Sequence, residues 1–327
     1  MFLKYCRYTV QKLSKLKTIS SVRNVGSEAT NNGKFEEVEI KVPWGKICGK
    51  YWGPQDVQPI IAIHGGRDNA CSFDPIAIRL PENVSLFAVD LPGHGLSSWI
   101  PRGMQYTALF IVQIFDRVRE HFKINKLKLM GHSLGGITSF LYTSIYPNDV
   151  KYIVALDNYK PITYIASALL PMSLRYREAF FKNEKSPDPP AKYSYENAIK
   201  KMIAISKNSL DVATSQILME RGMTKKPDGS LYFNEDPRVK FLPFDLSSTV
   251  DQMKIFAKQF HCPFLFIKGD QFNRIDNMER YYEVLEVIEK HSEDFQHHSV
   301  AGTHHFHMGN PKKVAAIINP FILKHVD

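Results

Sequence analysis

No stretch of about 18 consecutive apolar residues occurs in this chain, so no transmembrane helix is expected. Cysteine is scarce: Cys6, Cys48, Cys71 and Cys262 stand far apart along 327 residues. They form no C-x-x-C pair, which argues against a zinc knuckle or a dithiol redox motif, and they are too few to staple a chain of this length. A reduced compartment is the simplest setting. Acids are missing from the start of the chain, where Lys4, Arg7, Lys12, Lys15, Lys17 and Arg23 all precede Glu28. Those six cations account for most of the formal charge of +9, and the rest of the chain mixes lysine with acid. No basic stripe is left to track phosphates, so no nucleic-acid partner is expected. Internal repeats are absent too, and no low-complexity tract lies beyond the leader.

Residues 1–32 form a basic leader in which Phe2, Leu3, Cys6, Leu13, Leu16 and Ile19 are scattered among cations, serines and threonines. It lacks the continuous apolar core of a secretory signal and suits an amphipathic mitochondrial presequence. A basic tail or a membrane-surface helix is the alternative, and a cytoplasmic protein would then follow.

Beyond the leader, Phe35 to Val42 and Lys46 to Trp52 read as two strands joined by a turn at Pro43 and Gly45. Short apolar runs follow at Pro59 to Ile63, Val84 to Val89, Leu127 to Met130, Tyr152 to Leu156 and Pro263 to Ile267. Runs without polar alternation fit parallel strands buried on both faces. Helical spacing over Tyr106 to Phe122 and Leu134 to Tyr146 completes a βαβ rhythm, so the predicted class is α/β with a mostly parallel central sheet. From about Asn158 to Phe260 the rhythm breaks. Helical stretches at Tyr195 to Ile205 and Leu210 to Arg221 follow one another without a buried strand, the Pro-rich Ser186 to Pro190 marks a loop, and Lys226 to Gly229 marks a tight turn. The expected organisation is a core of residues 33–157 and 261–327, with residues 158–260 inserted after strand 6 as a helical lid over the ligand-binding edge of the sheet.

The segment LKLMGHSLGG, from Leu127 to Gly136, places Gly131, His132, Ser133, Leu134 and Gly135 between an apolar strand and a helix. A lone G-x-S-x-G is weak evidence. Its context is strong, because a nucleophile elbow requires strand, sharp turn and helix in that order. Ser133 then projects its hydroxyl above the sheet, and the Leu134 N–H at the helix start faces a developing oxyanion. His64, Gly65 and Gly66 follow an earlier strand in the place of the second oxyanion donor, for which the Gly66 N–H is the candidate. His64 orders that loop, and Asp68 and Asn69 read as caps of a helix beginning near Cys71. The base comes last in chain order. Val300 to Pro311, VAGTHHFHMGNP, offers His304, His305 and His307. Zinc is a rival reading of these three, but no acid or cysteine accompanies them at ligand spacing, so a general base is preferred. The residues themselves do not choose among the three.

Taken together, HGG at His64, DLPGHG at Asp90, GHSLGG at Gly131 and the histidine motif ending at Pro311 resemble the α/β-hydrolase superfamily from about Phe35 onward. More narrowly, HGGRDNACSFD, MGHSLGG, ILMERGMTKKPDGSLYFNEDPR and GTHHFHM resemble the kraken or serine hydrolase-like subgroup. The resemblance implies a serine hydrolase with a helical cap and does not imply a known substrate; a small-molecule acyl substrate is expected, and no cofactor is implied. It maps the catalytic histidine onto His304, seven residues before Pro311, and makes His307 a structural companion. Gly66 departs from relatives that often carry a large aromatic there, which predicts a wider pocket floor. The acid departs as well. Phe272 occupies its usual place after strand 7, so Asp157 at the end of VALD is preferred, with Asp270 as the alternative and Asp276 farther along. A serine elbow argues against epoxide hydrolase or dehalogenase chemistry, which proceeds through an ester on a carboxylate. A carbon-carbon bond hydrolase and a catalytically silent binding protein remain as rivals on the same fold.

Overall fold

The computed structural model describes residues 33–185, 191–241, 248–271 and 277–326. The leader, the Ser186 to Pro190 loop, Phe272 and Asp276 lie outside them. An eight-stranded sheet runs in the order β1, β2, β4, β3, β5, β6, β9, β10. Its strands are β1 (Glu36–Val42), β2 (Gly45–Trp52), β3 (Ile60–Ile63), β4 (Leu86–Val89), β5 (Leu127–His132), β6 (Val150–Leu156), β9 (Phe264–Gly269) and β10 (Phe295–Val300). β1 and β2 form an antiparallel hairpin against β4, and all other pairings are parallel.

Side-chain alternation along each strand feeds two separate cores, because neighbouring residues of a pleated strand point to opposite faces. Ile61, Ile63, Leu127, Leu129, Phe264 and Phe266 bury one face against α1 (Ala108–His121), α2 (Leu134–Ile145) and α7 (Met278–His291). Ile60, Ala62, Met130, Leu265 and Ile267 bury the other against Phe73, Ile76 and α8 (Pro311–Lys324). Apolar residues on both faces explain why these strands show no polar alternation. Each fully buried isoleucine or phenylalanine stabilises the fold by about 1.5–3 kcal/mol. Thr107 caps α1 by accepting the Phe110 N–H, and Ile111, Phe115 and Val118 then fall on its buried face.

The segment between β6 and β9 contains α3 (Ala166–Glu184), α4 (Tyr195–Ile205), α5 (Val212–Gly222) and α6 (Val250–Ala257). Two corrections to the helical lid arise here. Lys226 to Gly229 turns an antiparallel ribbon of β7 (Met223–Lys225) and β8 (Leu231–Phe233), whose three-residue strands are too short to show a period-2 pattern. The last helix, α6, buries Met253 and Ala257 in the main core, so it packs with the sheet rather than over it. Among the described residues no helix is long and apolar enough to cross a membrane. Cys48, Cys71 and Cys262 are free and buried.

Ion pairs fasten the segment between β6 and β9 to the sheet domain. Arg221, on α5, donates through Nε to Asp90 at 2.6 Å and through Nη2 to Glu37 of β1 at 2.8 Å. Asp90 is fully buried and also accepts the Ala70 and Leu96 N–H groups. A second anchor joins Asp236 to Arg238 and to the Tyr106 hydroxyl, while Arg238 donates to the carbonyls of Ile100, Pro101 and Met104. Truncating one partner of a buried pair leaves the other charge uncompensated. Arg221→Ala is therefore expected to lower unfolding stability by about 3–5 kcal/mol, read as a fall in denaturation midpoint. A loss below about 1 kcal/mol, typical of an exposed pair, would show that the anchor carries no weight.

Candidate active site

β5 lies between β3 and β6 with Gly131 level with Ile63 and Ala155, so the loops leaving these three strands emerge side by side. Ser133 follows β5 with φ 50° and ψ −107°, a left-handed backbone that costs a non-glycine residue about 1–3 kcal/mol. It is held by its own N–H, which donates to Leu156 of β6 at 3.0 Å. Tight packing dictates the glycines beside it. A Cβ on Gly135 would stand 1.9 Å from the Ile63 carbonyl oxygen, so the helix start presses directly onto the end of β3.

That approach brings the Leu134 N–H, first in its helix and without an intrahelical acceptor, to the sheet edge that also carries Gly66. A Cβ on Gly66 would meet nothing within 4 Å, so this position faces open space. His64 orders the loop as expected, its Nδ1 donating to the Gly65 carbonyl and its Nε2 accepting the Leu91 N–H.

Asp157 follows β6, again at positive φ (63°), and is fully buried. Its Oδ1 accepts the Gly269 N–H at 2.9 Å, and its Oδ2 lies 2.5 Å from Nδ1 of His304. Nε2 of His304 lies 2.8 Å from Ser133 Oγ. Ser133, His304 and Asp157 thus form one hydrogen-bonded line across the ends of the sheet. Asp270, the alternative acid, does not join it. Its carboxylate accepts the Gly302 N–H at 3.0 Å and its N–H bonds Val300, so it ties the histidine loop to β9.

Burial pushes the His304 imidazole down to about 4, against the Asp157 hydrogen bond that favours its charged form and together with the repulsion of His132 and His305. The ring is therefore neutral at pH 7 and free to accept a proton.

Asn69 is the cap expected of it, accepting the Cys71 N–H, but Asp68 is not a cap. Its side chain turns into a group of buried histidines, 3.2 Å from both His132 Nδ1 and His305 Nε2. Burial alone would push its pKa up; the electrostatic interaction with His305 and the contacts with His132 and His305 overcome that and hold the carboxyl well below its usual range. His307 packs against His132 and bonds Ser72 Oγ at 2.8 Å. Nothing in the spacing of HGGRDN pointed to this partnership, because it forms only when loops 64–69, 131–133 and 303–307 meet.

A cavity of about 240 Å³ borders Gly66, Asp68, His304 and His305, and Met202, Ile205, Leu210, Leu218, Met223 and Phe233 of the segment between β6 and β9 line its other side. At its polar rim Arg67 pairs with Glu235 at 2.6 Å.

The family model described as alpha/beta hydrolase fold matches residues 58–311. A probable serine hydrolase from Drosophila melanogaster is 33% identical over 291 residues, spanning 88% of each chain. A serine hydrolase-like protein from Mus musculus is 30% identical over 302 residues, covering 89% of this chain and 96% of that one. A crystal structure of a hypothetical protein from Pseudomonas aeruginosa matches with a TM-score of 0.76 at 25% identity, covering 89% of this chain and 99% of that one. The Drosophila and mouse relatives agree with the serine hydrolase-like subgroup that HGGRDNACSFD and GTHHFHM suggest.

The two aspartates have different partners, so their amides should behave differently. Asp157→Asn is expected to slow labelling of Ser133 by a fluorophosphonate about 10³- to 10⁴-fold, the scale of losing an orienting carboxylate. Asp270→Asn should stay within about 10-fold, because it removes a loop tether only. The reverse ranking would displace Asp157 from the line.

Proposed function

Since this chain belongs to the alpha/beta hydrolase fold family, we propose that it is a serine hydrolase that cleaves a carboxylic ester or related acyl bond through an acyl-enzyme. The observation that carries this reading is the hydrogen-bonded line from Ser133 Oγ through His304 to Asp157. His304 Nε2 takes the hydroxyl proton as Ser133 Oγ attacks the carbonyl carbon, and Asp157 holds the tautomer that leaves Nε2 unprotonated. The N–H groups of Gly66 and Leu134 receive the oxyanion of the tetrahedral intermediate, where one donor is worth about 10²- to 10³-fold in turnover. His304 then returns the proton to the leaving oxygen. Water, deprotonated by the same ring, attacks the acyl-serine and releases the acid.

The cavity supports a small substrate. Its volume lies below the roughly 300–1,000 Å³ usual for ligand sites, and apolar side chains such as Met202, Ile205 and Leu218 share its wall with Ser206, Lys207 and Ser209. The Asp157 contact also weakens the case for a silent binding protein, since an orienting acid is at hand where Phe272 could not supply one.

Two experiments test the reading. Ser133→Ala should abolish both turnover of short p-nitrophenyl esters and fluorophosphonate labelling; labelling that persists in this variant would remove Ser133 from the chemistry. The second is a pH profile. The neutral His304 ring is the working form, so activity is lost as pH falls through its protonation. With the ring depressed to about 4 from an ordinary 6.5, kcat/KM should hold at pH 5, about the point where an unperturbed imidazole is mostly charged. An acid limb centred at 6.5 would contradict the depression.

A further inference from the structure

The Asp68 carboxylate stands between two imidazoles, and the donor atoms of Asp68, His132 and His305 all lie within 4.8 Å of one another. Oδ2 is 3.2 Å from His132 Nδ1 and Oδ1 is 3.2 Å from His305 Nε2. The opposite nitrogen of each ring is already engaged. His132 Nε2 lies 3.0 Å from the main-chain oxygen of His304, and His305 Nδ1 lies 2.7 Å from the Ser209 hydroxyl. A carbonyl oxygen only accepts, so His132 Nε2 carries the hydrogen, and Nδ1 of a neutral ring turns its lone pair toward a carboxylate. Two acceptors then face each other across 3.2 Å unless a cation lies between them. A proton on His132 fills that role, and so does a metal ion.

The surroundings favour the metal. A ligating imidazole characteristically anchors its distal N–H on a carbonyl, carboxylate or water, which fixes the tautomer and aims the lone pair. His132 has that anchor in the His304 carbonyl, and the Ser209 hydroxyl can serve His305 in the same way. Two imidazoles and one carboxylate are the donor set of zinc-class ions rather than of calcium or magnesium. Asp68 and His305 both line the cavity, which gives an ion a way in and leaves a side for a water ligand. We propose that Asp68, His132 and His305 form a transition-metal site, taking Zn²⁺ or Co²⁺, set against the main chain of His304. It does not depend on the hydrolytic reading.

Occupation would act in two places. Ser209 belongs to the lid loop between α4 and α5, and its carbonyl accepts the Thr303 hydroxyl at 2.8 Å. An ion held by His305 ties that loop to residues 303–305. The His132 and His304 rings are 4.7 Å apart between centroids, so added positive charge also opposes protonation of His304.

The test is titration of the metal-free full chain with ZnCl₂ by calorimetry and with CoCl₂ by visible absorption. One equivalent should bind, with the strong visible bands of four-coordinate cobalt. Asp68→Asn and His305→Gln should each weaken binding by at least about 10-fold, the lower bound for disturbing even an outer partner. Ser133→Ala should leave it unchanged. Wild-type protein that takes up no ion, or affinity that survives both substitutions on surface histidines, would overturn the proposal. Loss of binding in Ser133→Ala would do the same by moving the ion to the serine-histidine pair. Circular dichroism accompanies each titration. If Asp68→Asn does not fold, His305→Gln, whose outer partner lies on the lid, decides the matter.

Discussion

The backbone at Ser133 is the constraint on which the rest depends. Its left-handed conformation can persist only because the surroundings hold it: the N–H is pinned to Leu156, the helix start is pressed against the Ile63 carbonyl, and glycines stand where any Cβ would collide. The same turn lifts Ser133 above the sheet, where its hydroxyl lies within reach of the His304 ring that follows β10.

Around that turn, burial and charge are balanced rather than simply added. The fully buried Asp157 is fixed by the Gly269 N–H on one oxygen and His304 on the other, so its carboxylate is satisfied without solvent. His304 pays the desolvation and stays neutral, which suits a base. Behind it, Asp68 collects His132 and His305 into a second polar centre that shares no side chain with the first. The two touch through the His304 carbonyl.

The segment between β6 and β9 is joined to this assembly by charge as well as by apolar contact. Arg221 reaches from α5 to Asp90 and Glu37, and Arg238 is surrounded by Asp236 and three carbonyls. Buried guanidinium groups with matched partners fix geometry, because any shift strands a charge in a low-dielectric place. The apolar side chains of α4, α5 and the ribbon therefore meet the cavity at set positions, while Asn69, which donates to the Leu218 carbonyl, couples the lid to the loop that carries Gly66.

What the amino-acid order alone determined was local. Apolar runs buried on both faces named the parallel strands, strand-turn-helix around Ser133 named the sharp turn after β5, and the histidine-rich segment before Pro311 named the loop that meets it. Each signal lies within about ten residues, where periodicity and turn chemistry act. The ribbon at Met223–Lys225 and Leu231–Phe233 escaped because three residues are too few for a period, and α6 was assigned to the lid because a helix pattern does not say what it packs on. The order of residues favoured Asp157 over Asp270 without showing its partner; the tertiary structure set Asp157 against His304 and Asp270 against Gly302, and only it gathered Asp68, His132 and His305 from three distant segments. Those choices rest on which strand neighbours which and where a buried carboxylate finds its partners, quantities that spacing along a chain does not encode.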